Sequence, residues 1–159
     1  MRLARAQVKN QRHLAPWNPT RDADFFTEGW QQADVSKRLS AYEAGTGLPL
    51  VLVSAGVIVG RVNLSAITRG AFQSAVLSYW IDVDFCGHGL MTSAVQTIVT
   101  FARQELNLHR LQAETLPINH SSQGVLRKAG FQQIGHAPAY LKICGVWQAH
   151  DLFQKILQG

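Results

Sequence analysis

The hydrophobic and polar positions change rhythm sharply near the middle of the chain. From Ala75 to Ile81 only Ser78 interrupts an apolar run, which predicts a buried strand. The run stops at Asp82-Val83-Asp84. After Cys86-Gly87-His88-Gly89 the spacing becomes helical: Leu90, Met91, Ala94, Val95, Ile98, Phe101 and Ala102 share one face of a helix reaching to about Glu105. Upstream, residues 1 to about 13 read as a helix with Leu3, Ala6 and Val8 as modest apolar content. Residues 14–20, with Pro16 and Pro19, read as a loop. Asp24 to about Ala44 reads as a second helix ended by Gly45-Thr46-Gly47. Leu48–Ser54 and Val57–Ile67 form a hairpin about Ala55-Gly56, with Gly60 marking a bulge. Thr68–Ser74 is a loop.

Downstream, His109–Leu116 is a strand. Asn119 or Ser121 caps a short helix that ends at Lys128, with Gly130 placed for a left-handed cap. Phe131–Ile134 and Val146–Leu157 supply the last strands, joined by a loop around Pro138 and Gly145. The order α-α-β-β-β-α-β-α-β-β predicts an α/β (α+β) fold, a mixed and mostly antiparallel sheet with helices on both faces. At 159 residues one domain, 1–159, is expected.

A strand, a tight glycine turn and a helix start aim several main-chain N–H groups at one point. The first amides of a helix have no internal acceptor, and the helix dipole adds partial positive charge. Such a site suits an anion, most often a phosphate. Gly87 and Gly89 permit the sharp turn and a close ligand approach, and no Ser, Thr or acid stands at either to cap the helix. The same pattern also fits an ordinary strand-to-helix turn. No Gly-Lys-Ser/Thr follows, so it is not a P-loop, and the third glycine of the dinucleotide fingerprint is absent.

Composition narrows the class. Hydrophobic residues make up 47% and charged residues 16%, values of a globular chain. No apolar run reaches the ~18 residues of a membrane span, so no membrane role is expected. The N-terminus has Arg2, Arg5, Lys9 and Arg12 but no apolar core of a secretory signal. Cys86 and Cys144 form no paired framework, which points to a reducing, cytoplasmic location. Four positive charges of the net +5 lie on that N-terminal stripe. It reads first as a solvated helix face, and second as a surface for acidic partners such as ribosomal RNA or coenzyme A phosphates. No aromatic interleaving supports specific nucleic-acid binding. Six histidines are scattered without ligand spacing, so no metal site is expected.

The stretch Cys86-Gly87-His88-Gly89-Leu90-Met91 resembles the cofactor motif of the GNAT superfamily of N-acetyltransferases. Asn119-His120-Ser121-Ser122, followed by Val125-Leu126-Arg127-Lys128-Ala129-Gly130-Phe131, resembles the family's Asn-x-x-Ser…Leu-x-Lys-x-Gly-Phe segment. Leu108-His109-Arg110-Leu111 and Gly145-Val146-Trp147 are similar to the RimJ/RimL branch, the ribosomal-protein N-terminal acetyltransferases. The resemblance implies a GNAT fold whose sheet splays at the cofactor cleft. It also implies acetyl-CoA as co-substrate with no metal. Family members open with a β-strand before the first helix. Here the chain opens where that helix should start, so either the strand is missing or residues 1–6 take its place, and an exposed sheet edge is expected.

By that resemblance, Ile81 and Val83 are backbone partners of the pantetheine arm. The amides of Gly87, His88, Gly89, Leu90 and Met91, with the Thr92 hydroxyl, take the diphosphate. Asn119 binds the cofactor arm and Ser122 contacts the sulfur as candidate thiolate proton donor, although both residues can also simply cap their helix. Cys86 stands where Gln or Arg is usual and Met91 where Gly or Ala is usual. Leu126 stands where many members carry a Tyr acid, and Ala149 where the branch carries Asp. Cys86 is expected to pack as a small buried apolar residue rather than a reactive thiol, and His88 to face solvent.

Acyl transfer to an amine needs a neutral amine, a stabilised oxyanion and a stabilised leaving thiolate. Direct transfer needs no enzyme nucleophile, and no Gly-x-Ser-x-Gly or Cys/His pair is evident. Glu114 and Asp82 are candidate bases, Tyr140 is a weaker candidate beside the acceptor channel, and a water chain is an alternative. Trp17, Phe25 and Phe26 either line the acceptor site or pack under the loop. The expected function is acetyl transfer to the N-terminal α-amino group of a protein, a ribosomal protein foremost. The alternatives are a small amine (polyamine, amino acid or antibiotic) as acceptor, and a catalytically weak acetyl-CoA-binding or ribosome-assembly protein. Monomer and dimer are both open.

Overall fold

A computed structural model describes residues 2–158. Helix α1 spans Arg2–Leu14 and α2 spans Glu28–Glu43. Strands β1 (Leu48–Ser54), β2 (Val57–Thr68) and β3 (Ser74–Ile81) precede α3 (Leu90–Gln104). Then come β4 (Arg110–Thr115), α4 (His120–Lys128), β5 (Gln132–Ile143) and β6 (Val146–Ile156). Among the described residues the strands form one sheet in the order β1-β2-β3-β4-β6-β5. Every neighbouring pair is antiparallel except β3 and β4.

The two sheet faces are built differently. Alternate residues of the central strands, Val62 and Leu64, Ala75 and Leu77, Leu111 and Ala113, point at α3 and α4. They meet Met91, Val95, Ile98 and Ala102 from α3 and Leu126 and Ala129 from α4 in one apolar core. Each fully buried Val, Leu, Ile or Met among them contributes about 1.5–3 kcal/mol relative to exposure. The opposite face, under α1 and α2, mixes buried apolar residues of α1, Leu3, Ala4, Ala6 and Leu14, with buried polar groups, among them Gln7, Asn10, Gln31, Arg61 and Asn63. Neither α1 nor α2 contributes a residue to the apolar core.

Two predicted boundaries move in the structure, and the start of the chain follows one of the two alternatives expected of it. Asp24 does not start α2: residues Ala23–Phe26 form a 3-10 turn, and Thr27 caps α2 by accepting the Trp30 amide at 3.3 Å. Pro138 does not break the last hairpin: β5 runs through it to Ile143, with a register shift between Ala137 and Leu141. Pro138 falls inside that shift, where residues 138–140 have no partner on β6, so its missing N–H removes no ladder bond. Residues 2–6 belong to α1 and form no strand. The exposed edge is β1, where Leu50, Val51 and Val53 face solvent.

Gly60 lies beside the β1–β2 register shift between Leu52 and Val53. Its lack of a side chain has a second cause, since a Cβ there would stand 2.9 Å from the Trp80 carbonyl oxygen. Of the predicted α3 face, Leu90 and Phe101 are exposed rather than buried. No helix among the described residues is long and apolar enough to cross a membrane.

Candidate active site

The site is organised by where β3 stops pairing. It meets β4 over only three residue pairs, Ser74–Val76 with Arg110–Gln112. Beyond them β4 continues along β6, and among the described residues Leu77–Ile81 has no partner on that side. The direction of the main-chain groups follows from strand alternation. The Gln73 carbonyl accepts the amides of His109 and Arg110 on the β4 side, while Asp82 donates to the Val59 carbonyl on the β2 side. Residues 77, 79 and 81 therefore turn their N–H and C=O groups into the splay, an unpaired half-ladder that an extended ligand can complete.

At the end of β3 the chain is clamped by α1. Asp82 is 1% exposed. It accepts hydrogen bonds from Lys9 Nζ at 2.8 Å, Asn10 Nδ2 at 3.0 Å and the Asp84 amide at 2.9 Å. Lys9 also reaches Asp84 at 2.7 Å. Burial pushes the Asp82 carboxyl up, but the bonds from Lys9, Asn10 and the Asp84 amide outweigh it and hold its pKa below the usual carboxylate value. Asp82 is thus a fully engaged structural anion, unsuited to take a proton from an amine. Asn10 Oδ1 accepts the Val83 amide at 2.9 Å, and the Val83 carbonyl accepts the Cys86 amide at 3.3 Å. The main chain at Ile81 is open to the splay, whereas that at Val83 is already engaged.

Past the clamp the polypeptide changes character. Gly87 has φ +80° and Gly89, the N-cap of α3, has φ +75°, a left-handed conformation that favours glycine. No side chain caps α3. Among the described residues the amides from Gly87 to Thr92 have no protein acceptor. Gly87, His88, Gly89 and Leu90 are exposed, Met91 is buried and Thr92 is half-buried. These donors at the positive end of a 15-residue helix fit a diphosphate.

Cys86 corrects an expectation. It is exposed rather than buried, with Sγ 3.6 Å from His13 Nε2 and 3.5 Å from the Asp82 carbonyl. The fold thus makes a Cys/His contact that spacing alone did not reveal, because 73 residues separate the two. Desolvation of the sulfur and the Asp82 charge push the thiol pKa up, the reverse of what a thiolate nucleophile requires.

Across the splay, Asn119 caps α4 by accepting the Ser122 amide at 3.1 Å. Its Nδ2 has no protein acceptor among the described residues. Ser122 Oγ lies 2.9 Å from the Tyr79 hydroxyl, which also reaches the Ser122 carbonyl at 3.0 Å. Burial raises the Tyr79 pKa to about 12, so the phenol stays protonated at neutral pH. Gln123 fixes this turn by donating to the Pro117 carbonyl at 2.9 Å. Leu126, at the position where many family members carry a Tyr acid, is fully buried in the apolar core.

A cleft of about 590 Å³ opens on the α1/α2 face and reaches Tyr79. Phe25 and Phe26 line it, as do Ser78, Trp80 and Cys144, but Trp17 does not. Cys144 arrives because the β5–β6 turn folds against the end of α1, its thiol donating to the Ala15 carbonyl at 3.3 Å. Glu114 stands on β4, half-buried, with no partner described and its pKa raised by burial. Tyr140 is exposed on β5 with its ring 5.6 Å from that of His150. Neither residue lines the cleft. No group of three His, Cys, Asp or Glu among the described residues could hold a metal ion.

Tyr79 and the Lys9–Asn10–Asp82 clamp were not singled out by sequence. The available signal for Tyr79 was a phenol inside an apolar run, since a buried Tyr hydroxyl normally finds a partner.

Comparison with known proteins agrees with this geometry. The chain is 32% identical over 157 residues to the [ribosomal protein uS5]-alanine N-acetyltransferase of Escherichia coli, covering 95% of this chain and 79% of that protein. The ribosomal-protein-S5-alanine acetyltransferase of Vibrio fischeri superposes with a TM-score of 0.95 at 33% identity, covering 99% of this chain and 87% of that one. RimJ of Mycobacterium smegmatis, solved in complex with CoA-disulfide, gives a TM-score of 0.92 at 29% identity, covering 96% of this chain and 75% of that one. Residues 3–132 match the family described as the acetyltransferase (GNAT) domain. A splayed β3–β4 pair and an uncapped α3 are thus set in a chain that belongs to the GNAT acetyltransferase family.

Proposed function

We propose that this chain transfers acetyl from acetyl-CoA directly to the N-terminal α-amino group of a protein, with a ribosomal protein as the leading acceptor. The observation that carries the reading is the path of unmet polar groups. It has two parts, the amides of Gly87–Thr92 and the open edge of β3, separated by the engaged residues 82–86 and leading to the Tyr79–Ser122 pair. Relatives that modify the alanine of ribosomal protein S5 support the choice of acceptor. The two cysteines, exposed and unpaired, fit a reducing cytoplasm.

When bound, acetyl-CoA supplies an activated acetyl thioester. The amides of Gly87 to Met91, with Thr92, hold the diphosphate. Main-chain groups of Tyr79 and Ile81 complete a short ladder with the pantetheine arm, and Asn119 Nδ2 donates to it. This assignment moves the second ladder position from Val83, whose amide Asn10 occupies, to Tyr79. The Ser122 hydroxyl donates toward the sulfur when the cofactor is bound, while the single Tyr79 phenol proton goes to the Ser122 carbonyl. With a pKa near 12 the phenol does not ionise at working pH, so it positions Ser122 through the Ser122 carbonyl rather than surrendering its own proton.

Glu114 sits on the sheet face that carries the cleft, and burial brings its pKa nearer to neutrality. It accepts the amine proton through water, since it does not line the cleft itself. The test is thiol release with a peptide copying the N-terminus of ribosomal protein S5, against spermidine at equal concentration. Turnover of the peptide and not of the polyamine is expected. Turnover of the polyamine alone overturns the reading.

A further inference from the structure

The cleft that leads to Tyr79 is strongly cationic for a site that must accept an amine. Its charged lining consists of Arg21, Arg38, Arg61 and Asp34. Asp34 is shared: its Oδ2 accepts from Arg38 Nε at 2.8 Å and from Arg61 Nη2 at 3.2 Å. One carboxylate therefore serves two guanidiniums, and the lining keeps two positive charges in excess. Arg61 is the most enclosed of them, its side chain 8% exposed. It spends Nε on Asn63 Oδ1 at 3.2 Å and one Nη2 donor on Asp34, and its Nη1 has no protein acceptor among the described residues. A guanidinium has five donors and cannot shed its charge, so an enclosed one with donors unspent calls for an anionic acceptor.

Arg21 stands at the mouth with its guanidinium 4.6 Å from the Phe25 ring centroid, a contact that orients the fork without neutralising it. Burial lowers the pKa of both Arg21 and Arg61, a sign that water does not fully solvate either charge.

Resting on the proposed transfer to a protein N-terminus, we infer that the acceptor is an acidic N-terminal segment. A carboxylate within a few residues of its reacting amine docks on the Arg61–Arg21 pair. Bidentate pairing fixes the register of the peptide, and with it the distance from its amine to the Tyr79–Ser122 end of the cleft. The surplus positive charge does two further things. It repels polycationic acceptors, which excludes polyamines and aminoglycosides as substrates. It also disfavours the ammonium form of the bound N-terminus, giving the neutral amine that attack requires.

The test uses peptides that begin with alanine and carry glutamate, glutamine or lysine at the second to fourth positions. Thiol release gives kcat/KM, and calorimetry on the CoA-loaded protein gives affinity for the same peptides. Glutamate is expected to exceed glutamine by about tenfold in kcat/KM, as one well-formed charged hydrogen-bonded pair allows, with lysine below both. Arg61→Gln should reduce the glutamate-to-glutamine ratio to about twofold or less, and the exposed Arg21→Gln does the same in part if the first variant folds poorly. Equal kcat/KM for glutamate and glutamine peptides overturns the inference while leaving N-terminal transfer intact. If no peptide is turned over, the functional reading fails. The calorimetry then decides the inference by itself: tighter binding of the glutamate peptide supports it, and equal or absent binding overturns it.

Discussion

The two faces of the sheet divide the labour of this molecule. Under α3 and α4 the strands present aliphatic side chains that exclude water, and the helices answer with Val95, Ile98, Ala102 and Leu126, each at most 2% exposed. Under α1 and α2 the same strands present Arg61, Asn63 and Ser78, and the helices answer with Gln7, Asn10, Asp34 and Arg38 around an open cleft. Burial of apolar area is non-directional and sums to stability. Hydrogen-bonded polar groups add little net stability but fix positions, because a mismatched partner is costly. One face thus holds the fold, and the other holds the geometry of a reaction. The α3 N-terminus and Ser122 lie where the splay of β3 from β4 joins the two.

The widest difference should appear in stability. Leu111→Ala, in the dry core, is expected to lower unfolding free energy by about 3 kcal/mol, and Leu39→Ala on the exposed side of α2 by less than about 0.5. Denaturant midpoints measure both, and similar losses would break the division between the faces. Next in size is chemistry without stability. Ser122→Ala should lower kcat by about 100-fold, and Tyr79→Phe by about threefold to tenfold, with melting temperatures close to that of the parent. A Tyr79→Phe loss larger than that of Ser122→Ala would reverse the roles assigned to the pair.

A smaller effect comes from the backbone of the proposed diphosphate site. Gly89→Ala has open space for its methyl but must hold φ near +75°. Strain of about 1–2 kcal/mol should appear as weaker binding of acetyl-CoA by roughly tenfold, with little change in kcat. The smallest effect is pH-dependent. The Asp82 carboxyl titrates below its ordinary value of 3.8 in the folded chain, so the unfolded chain takes up this proton first as acid is added. The clamp's contribution is complete above the unfolded value and is lost as pH falls through the lower folded one. Asp82→Asn should remove that limb of acid unfolding, by about 1 kcal/mol. An unchanged acid limb would show that the clamp adds no stability.

Much of the dry face was legible in the linear pattern. Ala75–Ile81 and the spacing from Leu90 to Ala102 located β3 and α3 within a residue or two, because a uniform apolar side must repeat with the period of its element. The polar face was harder to read. Asp82 looked like a possible base until Lys9 and Asn10 were found on it, contacts across more than 70 residues that local spacing does not encode. Cys86 was expected inside because an isolated Cys usually is, yet it stands on the exposed turn beside His13. Pro138 suggested a break, but it falls inside the register shift of β5 against β6. The glycine turn was visible as a pair of residues. Its meaning depended on the absence of any acceptor for the amides that follow, which only the fold displays.

In the proposed reaction the main-chain donors from Gly87 to Thr92 bind the diphosphate of the acetyl donor. Titration calorimetry with coenzyme A and with pantetheine, which lacks the diphosphate, tests it most directly. Coenzyme A should bind at least about 30-fold more tightly, as several charge-assisted hydrogen bonds at a helix terminus imply. Equal affinity for the two ligands would contradict the account.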